Sequence, residues 1–185
     1  MPDVLAPVVT RTQSLLSSLT NPTVFVAIDG RGGSGKSTLA EALRQRLGGG
    51  QVVHVDDFSD RKFLLESVIQ PLRDGREGRF QKYDWNRREP GDWTSVQPGG
   101  FIIIEGVYAL LPQFVDHYDV KVWVECPAQV GFERGLARDR SQYGVNSRDN
   151  WVNIWLPAEQ VYVETHQPHL KADFIINVAD LPKAE

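Results

Sequence analysis

The feature that most constrains this sequence is a glycine-rich segment between an apolar run and a helical stretch. Thr23–Ile28 reads TVFVAI, a short β-branched run typical of a strand buried on both faces of a parallel sheet. Gly30–Ser37 contains four glycines, and the next residues predict a helix from about Ser37 to Leu47 that ends at three further glycines. A strand, a tight loop and a helix in this order predict an α/β fold.

Further apolar runs alternate with helical stretches along the chain, and spaced apolar residues predict an N-terminal amphipathic helix within residues 1–20. The region 74–100 is polar and contains Trp85 and Trp93, which pack under a long loop or form a stacking wall for a ligand. The other predicted strands are 52–55, 101–104, 120–124 and 174–178, and the other predicted helices are 61–72 and 128–138. Such a pattern indicates a parallel sheet, in which ligands bind beyond the carboxyl ends of the strands.

Composition fits a single domain over residues 1–185 and narrows the classes of partner. The net charge of −4 gives no chain-wide electrostatic case for binding nucleic acid or an anionic membrane. One cysteine excludes an internal disulfide framework, and no apolar run reaches the roughly 18 residues that a membrane helix needs. The N-terminus lacks the pattern of a signal peptide. We therefore expect a cytoplasmic protein without a nucleic acid or membrane partner.

The glycine-rich segment reads GRGGSGKS, which is the P-loop pattern of two glycines around four residues followed by Lys-Ser. Backbone amides and the helix N-terminus in such a loop form a cradle for phosphate. Lys36 is predicted to reach the β- and γ-phosphates of ATP, and the Ser37 hydroxyl is predicted to bind Mg²⁺. The predicted nucleotide-binding residues here are Gly30, Gly32, Gly33, Ser34, Gly35, Lys36, Ser37 and Thr38. The alternative is a glycine-rich turn without a ligand.

Acidic residues follow two of the predicted strands. Asp56 and Asp57 come after the second strand, and Glu105 comes after the third. Because parallel strands end at the same edge of a sheet, we expect these acids on the same side as the phosphate loop. An acid there can hold Mg²⁺ or accept the proton of an attacking hydroxyl. The alternatives are a turn or helix-capping role for Asp57 and solvated strand ends for the remaining two acids.

The ordered motifs together resemble the uridine kinase and phosphoribulokinase-like branch of P-loop kinases, over about residues 23–180. They are the glycine-rich loop, VDDF at 55–58, KYDW at 82–85, IIIEGVYAL at 102–110 and ERGLARD at 133–139. The resemblance implies a five-stranded parallel sheet in the order 2-3-1-4-5, flanked by helices and carrying a mobile lid. It also implies transfer of the ATP γ-phosphoryl group to a small-molecule hydroxyl, and relatives are often homo-oligomers.

The resemblance assigns roles to individual residues of this chain. Asp56 matches the general base and a metal contact, Lys36 the phosphate lysine, and Ser37 and Glu105 the magnesium ligands. Arg138 and Asp180 fall on the nucleotide side. The residues that match the acceptor side are Asp57, Phe58, Tyr83, Arg88 and Arg134.

A polar segment over 139–150 is predicted to be the lid, which would exclude water during transfer. Arg134, Arg138, Arg140 and Arg148 lie in or beside it, and each is either a phosphate contact or part of a solvated helix face.

The chain departs from the uridine kinase pattern near the acceptor. Ser59 follows VDDF where a tyrosine is usual, the segment with the ribose-binding acid is missing, and Arg88 stands near the position of the base-reading histidine. Arginine side chains suit a carboxylate or phosphate, although a solvated position in a loop suits them equally well. Acceptors such as pantothenate, glycerate, nicotinamide riboside, a sugar or a sugar phosphate therefore stay open. Two further functions also stay open, namely a regulatory ATPase and a P-loop protein that binds nucleotide only structurally.

Overall fold

The computed structural model describes residues 3–18, 23–144 and 146–177, and its centre is a parallel sheet of five strands. The strands in the described residues are β1 (Thr23–Gly30), β2 (Gln51–His54), β3 (Gly78–Asp84), β4 (Glu89–Val96), β5 (Gly100–Glu105), β6 (Val120–Glu125) and β7 (Phe174–Asn177). The parallel sheet has the order β2-β5-β1-β6-β7, and β3 pairs with β4 in a separate antiparallel sheet. Counted among themselves, the five parallel strands follow the order 2-3-1-4-5, so the predicted fold class is confirmed.

Helices connect these strands. Two helical segments, 62–73 and 148–166, each continue through a widened turn in the middle. The helices are α1 (Ala6–Ser18), α2 (Lys36–Arg46), α3 (Lys62–Leu64), α4 (Gln70–Arg73), α5 (Pro112–Val115), α6 (Ala128–Tyr143), α7 (Arg148–Asn150) and α8 (Leu156–His166). A π-helical turn, Leu65–Ile69, joins α3 to α4, and another, Trp151–Trp155, joins α7 to α8. Each turn is followed two residues later by a proline, Pro71 or Pro157. Because a proline ring clashes with the carbonyl four residues earlier, a wider turn lets the helix continue.

The core lies on both faces of the parallel sheet because successive side chains of β1 point to opposite sides. Val24, Val26 and Ile28 pack with α1 and α2 in one cluster. Phe25 and Ala27 belong to a second cluster with the 62–73 helix and the β3–β4 hairpin. All of these β1 side chains are fully buried, which explains why β1 is apolar at consecutive positions instead of alternating.

Two local predictions are wrong in part. The region 74–100 forms the β3–β4 hairpin rather than a long loop. Helix α6 continues through Tyr143 instead of ending near Arg138, and 148–150 is also helical, so most of the predicted lid loop 139–150 is helix. Asp180 lies outside the described residues. Every helix in the described ranges is too short or too polar to cross a lipid bilayer.

Candidate active site

The glycine-rich loop wraps around the N-terminus of α2 in a conformation that suits an anion. Gly33 and Gly35 adopt left-handed backbone angles, with φ of 69° and 92°, and no side chain caps the helix. The Ser34 hydroxyl is buried without a hydrogen-bond partner among the described residues. Lys36 is buried, and its Nζ donates to the carbonyl of Arg31 at 2.9 Å. Free helix amides, an unpaired hydroxyl and a buried ammonium group together fit a polyphosphate.

Gly33→Ala should disrupt this loop more than Gly48→Ala, although both glycines have left-handed backbones. A Cβ on Gly33 would collide with the carbonyl oxygen of Gly131, whereas a Cβ on Gly48 would meet open space. We expect Gly48→Ala to lower the free energy of unfolding by about 1 kcal/mol, from backbone strain alone. Gly33→Ala should lower it by about 2–4 kcal/mol and abolish nucleotide binding. Urea denaturation and calorimetric titration with an unreactive ATP analogue measure both effects, and equal losses would contradict the collision.

Glu105 joins the loop to the neighbouring strand through two hydrogen bonds. Strand alternation puts Glu105 on the same face as Ile103, which is the face covered by α2. Glu105 Oε1 therefore accepts a hydrogen bond from Ser37 Oγ at 3.0 Å. The β2–β5 register pairs His54 with Glu105, and His54 Nδ1 lies 2.6 Å from the same oxygen.

Glu105 stays ionised despite being buried. Desolvation is the largest effect and raises its pKa, but the His54 hydrogen bond and the charge of Lys36 outweigh it, so the pKa of Glu105 is lowered. The pKa of His54 is raised, chiefly by its hydrogen bond to Glu105.

These oxygen atoms fit a magnesium ion completed by phosphates and water. Mg²⁺ takes hard oxygen ligands and is commonly held by one or two carboxylates plus substrate phosphates. The Ser37 hydroxyl and the Glu105 carboxylate are already in contact, and Glu105 carries the negative charge that the cation needs. No group of three or more His, Cys, Asp or Glu side chains in the described ranges could form a complete protein cage. The donor set therefore matches a metal that depends on the nucleotide for its remaining ligands.

Asp56 and Asp57 lie in a short 3₁₀ turn, Val55–Asp57, directly after β2. Asp56 is exposed to solvent, yet desolvation by the surrounding protein raises its pKa, and the charge of Lys36 opposes this only in part. Asp57 faces the hairpin instead, where it forms an ion pair with Lys82 at 3.5 Å. The two neighbouring acids are therefore in different environments, and Asp56 is the one beside Lys36 and Glu105.

A buried carboxylate that the sequence motifs did not mark lies directly before the loop. Asp29 is fully buried and accepts hydrogen bonds from the amides of Gly30 and Leu110 and from the Tyr162 hydroxyl, at 2.5–2.8 Å. Desolvation raises the pKa of Asp29 to about 6, although these bonds and Lys36 oppose the shift. The one signal in the sequence is an acid at the end of an otherwise apolar strand.

Aromatic side chains from two parts of the chain lie near Asp56. The indole of Trp85 donates to the Asp56 carbonyl at 2.7 Å and packs edge-on against Tyr83, but 58% of Trp85 is exposed. The guanidinium of Arg61 lies 4.1 Å from the centre of the Tyr108 ring, and Tyr108 has a left-handed backbone, with φ of 74°. Strained non-glycine residues of this kind cluster at functional sites.

The remaining predicted acceptor residues have separate positions. Phe58 is buried in the core against Phe80, so its ring supports the hairpin and is not available to an acceptor. Arg88 is exposed with a left-handed backbone at the hairpin turn. Arg134 and Arg138 are exposed on α6, where Arg138 bonds to the neighbouring Asp139 at 2.8 Å. Contacts among the described residues do not bring these three arginines to Asp56, and their roles stay predictions.

The 148–166 helix lies across the phosphate loop, a contact that the sequence did not predict. Glu159 Oε1 accepts a hydrogen bond from the Gly32 amide at 3.0 Å, and Gln160 accepts one from Arg31 at 2.8 Å. Trp151 packs on Gly32, and its indole donates to Asp139 on α6 at 2.8 Å. Nothing local in the sequence marks Glu159, because its partner is 127 residues away.

Comparison with known proteins agrees with this architecture. Two proteins named uridine kinase are each 27% identical to the chain, one from Halobacterium salinarum and one from Staphylococcus epidermidis. The matches cover 85% and 84% of this chain, and 81% and 88% of those proteins. A solved structure described as a possible uridine kinase from Bacillus stearothermophilus superimposes with a TM-score of 0.65 at 22% identity, and covers 92% of this chain and 99% of that one. The structural likeness supports the P-loop kinase fold.

The family assignment rests on a sequence profile that matches most of the chain. The profile of the Phosphoribulokinase / Uridine kinase family matches residues 52–183, which include the strand-end acids Asp56, Asp57 and Glu105 and the hairpin. The phosphate loop precedes this region and provides an independent feature of the same kind of protein. The chain belongs to the phosphoribulokinase/uridine kinase family.

Proposed function

We propose that this protein transfers the γ-phosphoryl group of ATP to a hydroxyl of a small molecule, in the manner of a uridine kinase. The observation that carries the proposal is the meeting of three parts at one edge of the sheet. These parts are the phosphate loop with Lys36, the Ser37–Glu105 pair, and Asp56. Family membership supports a kinase, and the acceptor is argued separately below.

The residues of the site have two roles in phosphoryl transfer. Some neutralise negative charge, and one removes a proton. The loop amides and Lys36 hold the phosphates and offset the negative charge that spreads over the transferring group. Ser37 and Glu105 would hold Mg²⁺, which would supply a further positive charge to offset the negative charge of the phosphates. Asp56 accepts the proton of the acceptor hydroxyl, because a raised pKa brings this carboxylate closer to the operating pH.

A nucleoside is the first acceptor class to test, since the two relatives compared above are named uridine kinase. The exposed face of Trp85 supports this class, because a base could stack on an indole that is fixed to the Asp56 carbonyl. Tyr83 packs against the same indole and would form part of that wall.

A second candidate is an acceptor that carries a carboxylate or phosphate group. The observation in its favour is Arg61, which is exposed, stacks on Tyr108, and forms no ion pair with a carboxylate of the described chain. The pKa of Asp56 is raised by desolvation, and the positive charge of Arg61 opposes part of that rise, so Arg61 acts on the proposed base. A guanidinium held by a strained tyrosine beside the base could bind an anion on the acceptor.

ADP release from Mg-ATP in the presence and absence of acceptors tests the proposal. The panel contains uridine and cytidine as neutral nucleosides, and pantothenate, glycerate and a sugar phosphate as anionic acceptors. We expect at least one compound to raise ADP release about tenfold or more above the acceptor-free rate, because productive positioning favours transfer over hydrolysis. If an anionic compound does so, Arg61→Ala should raise its KM by about tenfold or more. A rate that no compound changes would contradict the kinase and favour a regulatory ATPase.

A further inference from the structure

Glu159 is a buried carboxylate at the phosphate loop to which the proposed reaction gives no role. It is only 5% exposed, and its Oε1 accepts the hydrogen bond of the Gly32 amide at 3.0 Å. Its second oxygen, Oε2, is buried and has no hydrogen-bond partner among the described residues. Both oxygens of a buried carboxylate ordinarily accept hydrogen bonds. A carboxylate beside an anion-binding loop in which only one oxygen does so therefore requires an explanation.

The contact belongs to a larger interface, here called the seal, in which Trp151, Glu159 and Gln160 cover the loop at Arg31 and Gly32. A Cβ on Gly32 would lie 2.6 Å from the Trp151 ring and 2.7 Å from Glu159 Oε1, so no space separates the loop from the 148–166 helix. One residue along, the Arg31 side chain donates to Gln160 at 2.8 Å. Glu159 is the member of this seal that carries negative charge.

The negative charge of Glu159 opposes the binding of a polyphosphate to the loop. A single N–H proton cannot serve a carboxylate and a phosphate oxygen equally well, and two anions that share one donor repel each other. Desolvation raises the pKa of Glu159, while the Gly32 hydrogen bond and the charges of Lys36 and Arg31 favour its ionised form. The contact with the loop is therefore favourable only while the loop holds no further anion.

We propose that Glu159 is a latch on the phosphate loop: its carboxylate occupies the Gly32 donor in the nucleotide-free protein, and a bound polyphosphate displaces it. The inference rests on the proposed function, because it assumes that the loop binds ATP. Displacement frees the unpaired carboxylate from its buried position and separates the 148–166 helix from Gly32. Loop occupancy is thereby coupled to the position of this helix, and the latch lowers the affinity of the loop for anions.

Calorimetric titration of three full-length proteins tests the latch: the wild type, Glu159→Gln and Glu164→Gln. The amide of Glu159→Gln can still accept the Gly32 hydrogen bond but lacks the charge that opposes a phosphate. Glu164→Gln makes the same change five residues further along α8, at an exposed side chain that accepts a hydrogen bond from Gln160 and does not itself contact the loop. The titrants are Mg²⁺ with an unreactive ATP analogue and, separately, inorganic triphosphate. Thermal unfolding confirms that each variant is folded.

We expect Glu159→Gln to bind both titrants about tenfold more tightly than the wild type, and Glu164→Gln to bind them within about twofold of it. Unchanged or weaker binding by Glu159→Gln would overturn the latch, and so would an equal gain in Glu164→Gln, which would indicate a general charge effect. If the wild type binds the analogue and Glu159→Gln gains nothing, the latch is wrong and the kinase proposal stands. If the wild type binds neither titrant, the proposed function fails and the latch fails with it.

Discussion

Asp56→Asn is expected to lower the turnover number by about a hundredfold or more while Mg-ATP affinity stays within about threefold of the wild type. The asparagine has nearly the same shape but cannot take the proton of the acceptor hydroxyl. Nucleotide affinity should persist, because the loop amides, Lys36 and the Ser37–Glu105 pair are unchanged. Steady-state kinetics with the acceptor that best stimulates ADP release, together with calorimetric titration of the ATP analogue, separates the two quantities.

The pH profile gives a second readout of the same residue. Only the deprotonated carboxylate can act as a base, so wild-type turnover should fall as pH decreases through the pKa of Asp56. Because desolvation raises this pKa, the fall should begin at a higher pH than it would for an ordinary aspartate. Asp56→Asn should lose this acidic limb and retain a low, flatter rate.

Asp116→Asn is the matched control for Asp56→Asn, since Asp116 is an exposed carboxylate at the end of α5, outside the described site contacts. Its turnover and pH profile should equal those of the wild type. If Asp56→Asn kept normal turnover, or if both variants lost activity to the same extent, Asp56 would not be the base.

The parts of the site that were predictable from the sequence are those encoded over short distances. The phosphate loop is a contiguous motif in which each residue type has a local reason. Asp56 and Glu105 follow apolar runs, and parallel strands bring such residues to one edge whatever the detailed packing. The order of the five strands came from the resemblance to a family, because apolar runs alone do not specify which strands are neighbours.

Contacts between distant segments were not predictable, because they depend on register and helix placement. The His54–Glu105 contact requires the β2–β5 pairing to be correct to a single residue, since a shift by one would turn one side chain to the opposite face. The Glu159–Gly32 bond requires the path of a helix that begins after α6, and α6 itself ends later than predicted.

The β3–β4 hairpin was missed for a different reason, which is its weak apolar pattern. Phe80 and Val96 are buried in the core, but most of the remaining hairpin side chains face solvent or are only half-buried. Such a sheet has too few apolar positions to stand out in a polar region. It matters to the site because it carries Tyr83 and Trp85 to the turn that contains Asp56.

Lys36→Met is the second variant for which we expect a large loss, with a fall in turnover of about a hundredfold to a thousandfold. Methionine keeps most of the side-chain volume but removes the ammonium group that the Arg31 carbonyl holds beside the loop. The Lys36 charge also lowers the pKa of each acid around it, namely Asp29, Asp56, Glu105 and Glu159. The variant should therefore show both weaker stabilisation of the transferring phosphoryl group and an acidic limb moved to still higher pH.

Lys121→Met provides the comparison for this change. Lys121 on β6 is a partly buried lysine that pairs with Asp173 at 3.3 Å and lies outside the described site contacts. Turnover and the acidic limb of its pH profile should match the wild type in Lys121→Met, with thermal unfolding used to confirm that both variants are folded.

The shift of the acidic limb distinguishes the two ways in which Lys36 could act, which are to stabilise the phosphates and to lower the pKa of Asp56. If Lys36→Met is slow but the acidic limb of its pH profile does not move, Lys36 acts on the phosphates alone. A charge that supports Asp56 as a base must change the pKa of Asp56 when it is removed. Normal turnover in Lys36→Met would remove the loop from the reaction altogether.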